Sequence, residues 1–329
     1  KTKQDLRVLA IIPSNWSHQD QICFALDRNY STVRYDYRDA GYDLSAFINK
    51  KTANKAREYF SGIYEEIYRQ HCIKPFDIMV CYLLPWDLSP SFINKVKDVL
   101  GIPAVNISFD DKNWWSEIHR GHADSGICNI SSLFHLNLTS SRVTIDWHWA
   151  HGSSAIYFKE GVNTEIFKSS SNEHKYDLVF VGSRFGRRDL LPAKVKKITS
   201  NIVFAGPGWA SGPIAEYEMI NLFSSSKIIL GSGDISYSSN LTNLKGRDFE
   251  APSIGTACYL TTFNCELSQS FLVGTEIECY RSDDEMLEQI DYILSNDKHL
   301  INGPYGRHRC IKDHSWSSRF DGVFEKIGL

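Results

Sequence analysis

Short apolar runs, each ended by a turn, recur along this chain and alternate with segments of helical spacing. The first run, at residues 6–13, is continuously apolar, as expected of a strand buried on both faces of a parallel sheet. Three more strands are predicted in the first half, at residues 31–38, 76–84 and 102–110, with a long helix at residues 46–72. This order of strands and helices predicts a doubly wound α/β fold.

The same alternation of strands and helices begins again after Phe167, beyond the polar linker KSSSNEHK at residues 168–175. Five short strands are predicted at residues 176–183, 201–208, 227–233, 257–262 and 276–281. Helices are predicted at residues 188–199, 214–225, 284–295, 298–312 and 314–326. Because 329 residues exceed what one hydrophobic core usually serves, we predict two Rossmann-like domains, 1–167 and 168–329. We expect the two domains to face one another across a cleft, with the C-terminal helices crossing back to the first.

Charge, cysteine spacing and missing motifs exclude several classes of protein. A formal net charge of -3 disfavours nucleic acid as a partner. The 8 cysteines form no CxxC pair, which disfavours a zinc or redox site and is typical of the reducing cytoplasm. No strand is followed by a GxGxxG or Walker A motif, and no apolar run is long enough to span a membrane. Peripheral contact with a membrane remains compatible with the sequence.

Doubly wound sheets bind ligands beyond the carboxyl ends of their strands, so binding motifs are expected there. The first strand of the second half leads into Gly182, Ser183 and Arg184, just before a predicted helix. Glycines let the backbone approach an oxyanion, and an arginine can hold a phosphate with two hydrogen bonds. The simpler alternative is that the arginines at this helix start are only solvated.

The next two strands of the second half also end in glycine-rich loops. One loop contains Gly206 and Trp209, whose indole ring would stack on a base or a sugar, or else pack over a tight turn. The other loop contains Gly233 and continues as a polar stretch to Asn243. We predict that these residues help to bind the substrate.

A basic pair and a carboxylate follow in the segment LKGRDFEAPSIGTACYLT, which begins at Leu244. Lys245 and Arg247 lie where a helix begins, so they suit an anionic diphosphate. Glu250, one turn later, can accept hydrogen bonds from two hydroxyl groups, as from a ribose. Cations that bind a diphosphate, followed by a carboxylate that binds a ribose, indicate a nucleotide-sugar site. The same residues would also suit a solvated amphipathic helix.

These segments resemble the group-1 glycosyltransferases of the GT-B fold, most closely the spore-maturation-protein type. The resemblance is carried by DLVFVGSRFGRRDLL, SKIIL, KGRDFEAPSIGTACYLT, GTEIECYRSDDEM and HSWSSRFDGVF, and it is looser in the first half. It implies that Glu250 holds the donor ribose and that Lys245, Arg247 and Arg184 hold the diphosphate. One feature departs from it: many group-1 enzymes have a second Glu eight residues before the ribose Glu, where this chain has Thr242.

The resemblance implies transfer of a sugar from a nucleotide-diphosphate sugar to a glycan, a lipid-linked saccharide or a protein. It also implies retention of configuration. We predict that neither a metal nor a cofactor is needed, because Lys245, Arg247 and the helix N-terminus stabilise the leaving diphosphate. An inverting enzyme would instead need a carboxylate base, for which Asp110 and Asp111 are the candidates unless they cap a helix. His119, His122 and Asp124 form a second possible acid–base group.

Two other functions remain open at this stage. A nucleotide-sugar epimerase shares the fold and would need no acceptor. A glycan-binding module without activity would bind saccharides independently of any nucleotide sugar.

Overall fold

The computed structural model describes residues 3–14, 17–39, 53–85, 90–116, 126–171, 173–235, 238 and 241–329. The chain divides into two compact units, the first formed by Lys1–Lys159 with Arg319–Leu329 and the second by Glu160–Ser318. The observed division therefore lies before Glu160 rather than after Phe167. Of the described C-terminal helices that were expected to cross back, the last one belongs to the first unit from Arg319 onward, and the others belong to the second unit.

The first unit contains a parallel sheet, with the strand order β2-β1-β3-β4-β5-β6 among the described residues. Its strands are Arg7–Ile11 (β1), Ser31–Tyr35 (β2), Ile78–Cys81 (β3), Ala104–Ser108 (β4), Leu136–Thr139 (β5) and Ala155–Tyr157 (β6). The four strands predicted from apolar runs are confirmed. β5 and β6 were not predicted, and they extend the sheet beyond β4.

Helices cover this first sheet. They are Ser17–Asn29 (α1), Ala53–Ile73 (α2), Pro90–Asn94 (α3), Asp111–Trp114 (α4) and Arg142–Ala150 (α5). Phe60 and Ile67 of α2 and Phe92 of α3 pack against buried strand residues such as Leu9 and Met79. The start predicted for the long helix, residues 46–52, lies outside the described residues.

The second unit contains another parallel sheet, with the order β11-β10-β9-β7-β8 in the part that the structure describes. Its strands are Tyr176–Val181 (β7), Ile202–Ala205 (β8), Ser226–Leu230 (β9), Cys258–Thr262 (β10) and Glu278–Tyr280 (β11). All five predicted strands are confirmed. Residues of β9 and β10 are almost entirely buried, which explains why their sequences are so apolar.

The helices of the second unit follow the predicted order. They are Leu191–Val195 (α6), Glu216–Ser224 (α7), Arg247–Ser253 (α8), Cys265–Ser268 (α9), Asp283–Ser295 (α10) and His299–Asp313 (α11). The chain ends with Trp316–Lys326 (α12). The helix predicted at residues 188–199 is replaced by a 3-10 turn, Gly186–Leu190, and the short α6. Met286 and Ile290 of α10 pack beneath Leu178, Ile228 and Leu260.

The buried His299, which lies against the partly exposed His174 in the second unit, predicts a pH-dependent stability. The rings of His299 and His174 lie 4.7 Å apart, and burial, followed by the charge of His174, lowers the pKa of His299 to about 4. In the unfolded chain the pKa of a histidine is about 6.5, so the unfolded state binds this proton first. The stability that neutral His299 contributes is therefore lost as the pH falls from about 6.5 to about 4.

We expect His299→Gln to reduce this loss, measured as urea-unfolding midpoints at pH 7, 6, 5 and 4. The matched control is His308→Gln, because the His308 side chain is exposed on the same helix. Equal pH dependence in the wild type and His299→Gln would contradict the assignment.

Candidate functional site

The strand order of the second sheet places a crevice between the carboxyl ends of β7 and β9. The chain leaves β7 toward β8 on one side, whereas β9 pairs with β7 on the other side. Such a reversal of strand order is where doubly wound sheets bind their ligands. The loop after β7 contains Gly182, Ser183 and Arg184, and the loop after β9 contains Gly231 and Gly233.

The loops after β7 and β8 lie in direct backbone contact. Gly206 has a φ of 119°, and a Cβ there would lie 2.7 Å from the Gly182 carbonyl oxygen. The indole Nε1 of Trp209 donates a hydrogen bond to that same oxygen, at 2.8 Å. Trp209 also packs on Phe180 and Phe204. Of the two roles predicted for Trp209, the structure shows packing over a tight turn.

The arginines after β7 point in different directions. Arg184 is about half exposed, pairs with Asp189, and lies 5.4 Å from the centre of the Trp209 ring. Arg188 is buried deeply enough that burial lowers its pKa. Its Nη2 donates to the Ser232 carbonyl at 2.8 Å and so connects the two loops that flank the crevice. Arg188 is therefore the partly buried cation that contacts both loops, whereas Arg184, to which the resemblance pointed, lies at the surface.

Carboxylates accompany the other cations after β7. Arg187 lies 3.9 Å from Asp234 and 3.5 Å from Asp283, and Lys194 also pairs with Asp283. Burial raises the pKa of Asp234, while Arg187 lowers it. The local positive charge of the crevice is consequently smaller than the number of basic residues suggests.

Lys245 and Gly246 form the turn that leads into α8, and Arg247 and Glu250 lie in the first turn of that helix. The backbone N–H of Lys245 donates to Asp248 Oδ2 at 2.8 Å, and the Tyr259 hydroxyl donates to Asp248 Oδ1 at 2.6 Å. Burial raises the pKa of Asp248, and these hydrogen bonds oppose the increase. α8 has only 7 residues, so few peptide dipoles add to the positive charge at its N-terminus. Asp248 and Tyr259 were not predicted as part of the site.

Glu250 and Arg247 form an ion pair within α8. Arg247 Nη1 donates to Glu250 Oε2 at 2.8 Å, and the Glu250 side chain is only 7% exposed. Arg247 also contacts Met219 Sδ, and its guanidinium lies 5.2 Å from the centre of the Phe223 ring. The two residues predicted to hold the diphosphate and the ribose are thus joined to each other.

A second carboxylate reaches this turn. A Cβ on Gly246 would lie 2.7 Å from Glu160 Oε2 and 3.9 Å from Glu250 Cδ, so both carboxylates approach the same glycine. Glu160 is buried and was not predicted as a site residue. Asn243, predicted to bind the substrate, is buried, and its backbone N–H donates to the Gly233 carbonyl at 3.0 Å.

In the first unit, Asp110 and Asp111 follow β4 and differ in how far their side chains are exposed to solvent. Asp111 is 1% exposed and accepts hydrogen bonds from Ser108 and from Thr144 Oγ1. His148 Nε2 lies 3.1 Å from Asp111 Oδ2. Asp111 is therefore inaccessible to an acceptor hydroxyl in this structure, contrary to the role of base predicted for it. Asp110 is partly exposed, and its Oδ1 accepts from Asn113 Nδ2 at 3.1 Å.

The hydrogen-bond network of Asp111 continues through the His148 ring. Ser131 Oγ lies 2.6 Å from His148 Nδ1, and both side chains are fully buried. A serine, histidine and aspartate in series suggest a nucleophile, but this serine cannot reach a substrate. The second acid–base group that was predicted, His119, His122 and Asp124, lies outside the described residues.

The described part of the chain has neither a metal-binding cluster nor a membrane-spanning helix. None of its His, Cys, Asp and Glu side chains form a group of three that could hold a metal ion. None of its helices is long and apolar enough to cross a membrane.

Residues 187–325 match the family model described as "Glycosyl transferase-like". This segment contains Arg188, the turn at Lys245, and Glu250. The spore-maturation type is a finer assignment than this match and stays a prediction. No curated protein matches the chain.

Solved structures share the fold over nearly the whole chain. HepE of Anabaena, in complex with UDP-glucose, has a TM-score of 0.64 at 8% identity, covering 98% of this chain and 99% of that chain. The α,α-trehalose 6-phosphate synthase of Burkholderia multivorans has a TM-score of 0.57 at 7% identity, covering 99% of each chain. A Listeria monocytogenes protein provisionally named a UDP-N-acetylglucosamine 2-epimerase has a TM-score of 0.54 at 11% identity, covering 98% and 95%. The predicted GT-B fold, with its two Rossmann-like sheets, is confirmed.

Proposed function

We propose that this protein is a glycosyltransferase that takes its sugar from a UDP-sugar donor. The observation that carries the proposal is the position of Arg188, Lys245 and Glu250 in a segment that matches the glycosyltransferase-like family model. Arg188 and the loop after β9 lie at the reversal of strand order, where this class of sheet binds its ligands. HepE, which has the same fold, was crystallised with UDP-glucose, and this supports uracil as the base.

Glu250 would bind the donor ribose, and the cations would bind the diphosphate. A carboxylate accepts hydrogen bonds from two neighbouring hydroxyl groups, and bonds to charged groups are stronger than neutral ones. Lys245 and Arg188 supply the positive charge that the leaving diphosphate needs. The loops around this position contain Gly182, Ser183, Gly206 and Gly233. Arg184 lies over the Trp209 ring, and this contact joins the loops after β7 and β8.

In the reaction, the bond from the sugar C1 to the diphosphate oxygen breaks and a bond from C1 to the acceptor oxygen forms. The electron pair of the broken bond leaves with the UDP. We infer retention of configuration, in which the acceptor proton passes to the leaving phosphate. Burial of Asp111 leaves Asp110 as the accessible one of the two bases predicted for an inverting reaction, so removal of Asp110 distinguishes the two outcomes. The acceptor would be a saccharide, free or lipid-linked, or a protein.

We place the reaction in a reducing compartment such as the cytoplasm, because all 8 cysteines are free and two of them are exposed. We also propose that the chain's own cations, rather than a metal ion, stabilise the diphosphate.

A thermal-shift panel of UDP, GDP, CDP and TDP, each with its sugar conjugates, tests the donor assignment. UDP at about 100 times its Kd should stabilise the native state by about 2.7 kcal/mol. Glu250→Gln should weaken UDP binding by roughly 30- to 700-fold, since it removes about 2–4 kcal/mol of charge-assisted hydrogen bonding. The matched control is Glu66→Gln, which removes an i,i+3 ion pair on the exposed face of α2.

The panel also separates the alternatives. A UDP-sugar that is epimerised without any acceptor would establish an epimerase instead. A folded chain that binds glycans but shows no shift with any nucleotide would establish a binding module.

A further inference from the structure

The helix α11 packs on the rest of the second unit through its small residues. A Cβ on Gly303 would lie 2.7 Å from the Gly255 carbonyl oxygen, and a Cβ on Gly306 would lie 2.7 Å from the Glu276 carbonyl oxygen. The remaining buried residues of α11 are His299, Asn302 and Cys310. The helix backbone therefore lies so close to the chain beneath it that the inner face has no room for large apolar side chains.

The large apolar side chains of α11 are exposed to solvent instead. Four of them are between 47% and 63% exposed: Leu300, Ile301, Tyr305 and Ile311. Pro304 is exposed as well. Spacings of three, four and seven residues place side chains on one face of a helix, so these residues form a single apolar stripe. A surface helix ordinarily turns such a stripe toward the core, and an exposed apolar patch of this kind marks a binding surface.

The segment that carries this stripe is positively charged, whereas the whole protein is negatively charged. From Lys298 to Lys312 the sequence has four Lys and Arg residues and no Asp or Glu, while the formal net charge of the protein is -3. Asp297 and Asp313 border the segment, and Asp313 pairs with Arg309 at 2.7 Å. Lys298 is partly exposed and Lys312 is exposed. The apolar stripe therefore has a lysine at each end.

A membrane surface that contains anionic lipids matches both the apolar and the basic character of this face. Apolar side chains enter the boundary between headgroups and acyl chains, while neighbouring lysines are attracted to anionic headgroups. A second copy of this chain matches only the apolar character. In a symmetric pair each face meets the same face of its copy, so cations would lie opposite cations and repel each other.

We infer that the outer face of α11 docks on the surface of a membrane that contains anionic lipids. The contact is peripheral, with the helix lying along the surface. The inference goes beyond the proposed function and does not depend on it. Of the acceptors proposed above, a lipid-linked saccharide would be present at such a surface.

Flotation of the full chain with lipid vesicles tests the inference. One set of vesicles contains phosphatidylcholine alone, and the other contains phosphatidylcholine and phosphatidylglycerol in equal parts. The wild-type chain should bind the anionic vesicles roughly 10- to 30-fold more tightly than the neutral ones, because each lysine near an anionic surface adds to the attraction. Added salt should reduce this difference, since it screens the charges.

Tyr305→Glu should weaken binding to the anionic vesicles by at least about tenfold, because it places a carboxylate within the apolar stripe. Ile301→Glu should have the same effect, and it is measured in case Tyr305→Glu alters folding. The matched control is Tyr217→Glu, since Tyr217 is an exposed tyrosine on α7, another helix of the same unit. The control should bind vesicles as the wild type does. Lys312→Glu should remove most of the preference for anionic vesicles.

A wild-type chain that floats with neither kind of vesicle, or equally with both, would overturn the inference. A Tyr305→Glu protein with the urea-unfolding midpoint and the flotation of the wild type would also overturn it, since the lipid would then bind elsewhere. A dimer in sedimentation velocity that Tyr305→Glu abolishes, without any binding to vesicles, would identify the occupant as a second copy. Each of these results leaves the donor assignment intact, because UDP binding is measured without lipid.

Discussion

Gly231→Ala is expected to destabilise the protein by about 3 kcal/mol or more, the upper range for overpacking a buried position. An added Cβ would meet the Tyr259 hydroxyl and would lie 2.6 Å from Thr261 Oγ1 and 2.7 Å from Tyr259 Cζ. Both side chains are about 1% exposed, so they have no room to withdraw. The backbone at Gly231 is held as well, since its N–H donates to Leu260 and its carbonyl accepts from the Tyr280 hydroxyl.

The same substitution should weaken the binding of UDP, because Tyr259 connects Gly231 to the turn at Lys245, where the donor is proposed to bind. The Tyr259 hydroxyl donates to Asp248, and Asp248 accepts the backbone N–H of Lys245. A displaced Tyr259 ring therefore displaces the turn that carries Lys245 and Arg247.

Urea unfolding of Gly231→Ala, followed by UDP titration below its unfolding transition, measures both effects. The matched control is Gly62→Ala in the interior of α2, where nothing lies within 4 Å of the added Cβ. Alanine should stabilise that helix by about 0.5–1 kcal/mol. A Gly231→Ala protein as stable as the wild type would show that the loop after β9 can move away from Tyr259.

The strands that the sequence predicts most plainly are those with an apolar run that is buried on both faces. β3 is such a run throughout, and β1 and β9 are such runs after Arg7 and Lys227. β2 was also predicted, although each of its residues is partly exposed. β5 is almost as buried as β3, yet Asn137 and Thr139 point into a polar network rather than an apolar core. Such a strand has no apolar run, and a three-residue strand such as β6 is too short to show a pattern.

Only part of the candidate site can be predicted from the sequence, because some of its contacts have no local sequence pattern. The spacing of Arg247 and Glu250 is one that helices use for ion pairs, so their contact could have been foreseen. No local signal indicates that Arg188 turns inward while Arg184 remains at the surface, because both follow the same strand. Glu160 and Gly246 are far apart in the sequence and meet only through the packing of the whole second unit.

The second large effect is expected in the first unit, where Asp111→Ala should destabilise the protein by about 3–5 kcal/mol, as for other broken buried pairs. Asp111 Oδ2 lies 3.1 Å from His148 Nε2 and accepts from Thr144 Oγ1 at 3.2 Å. Removing the carboxylate leaves both groups buried without their acceptor, and each such loss carries a desolvation cost. Ser131, bound to the other side of the His148 ring, should be disturbed as well.

The adjacent Asp110→Ala is the matched control, and it separates stability from catalysis. Asp110 is partly exposed and accepts from the exposed Asn113, so its loss should change stability by about 0.5 kcal/mol or less.

If Asp110 were the base of an inverting enzyme, its removal would lower kcat by roughly 100- to 10,000-fold. We expect instead a small change in kcat, because the proposed retaining reaction passes the acceptor proton to the leaving phosphate. Urea unfolding and initial rates of sugar transfer, measured on both variants, check these expectations. A large fall in kcat for a stable Asp110→Ala protein would contradict retention, and an Asp111→Ala protein as stable as the wild type would contradict the structural role of the buried network.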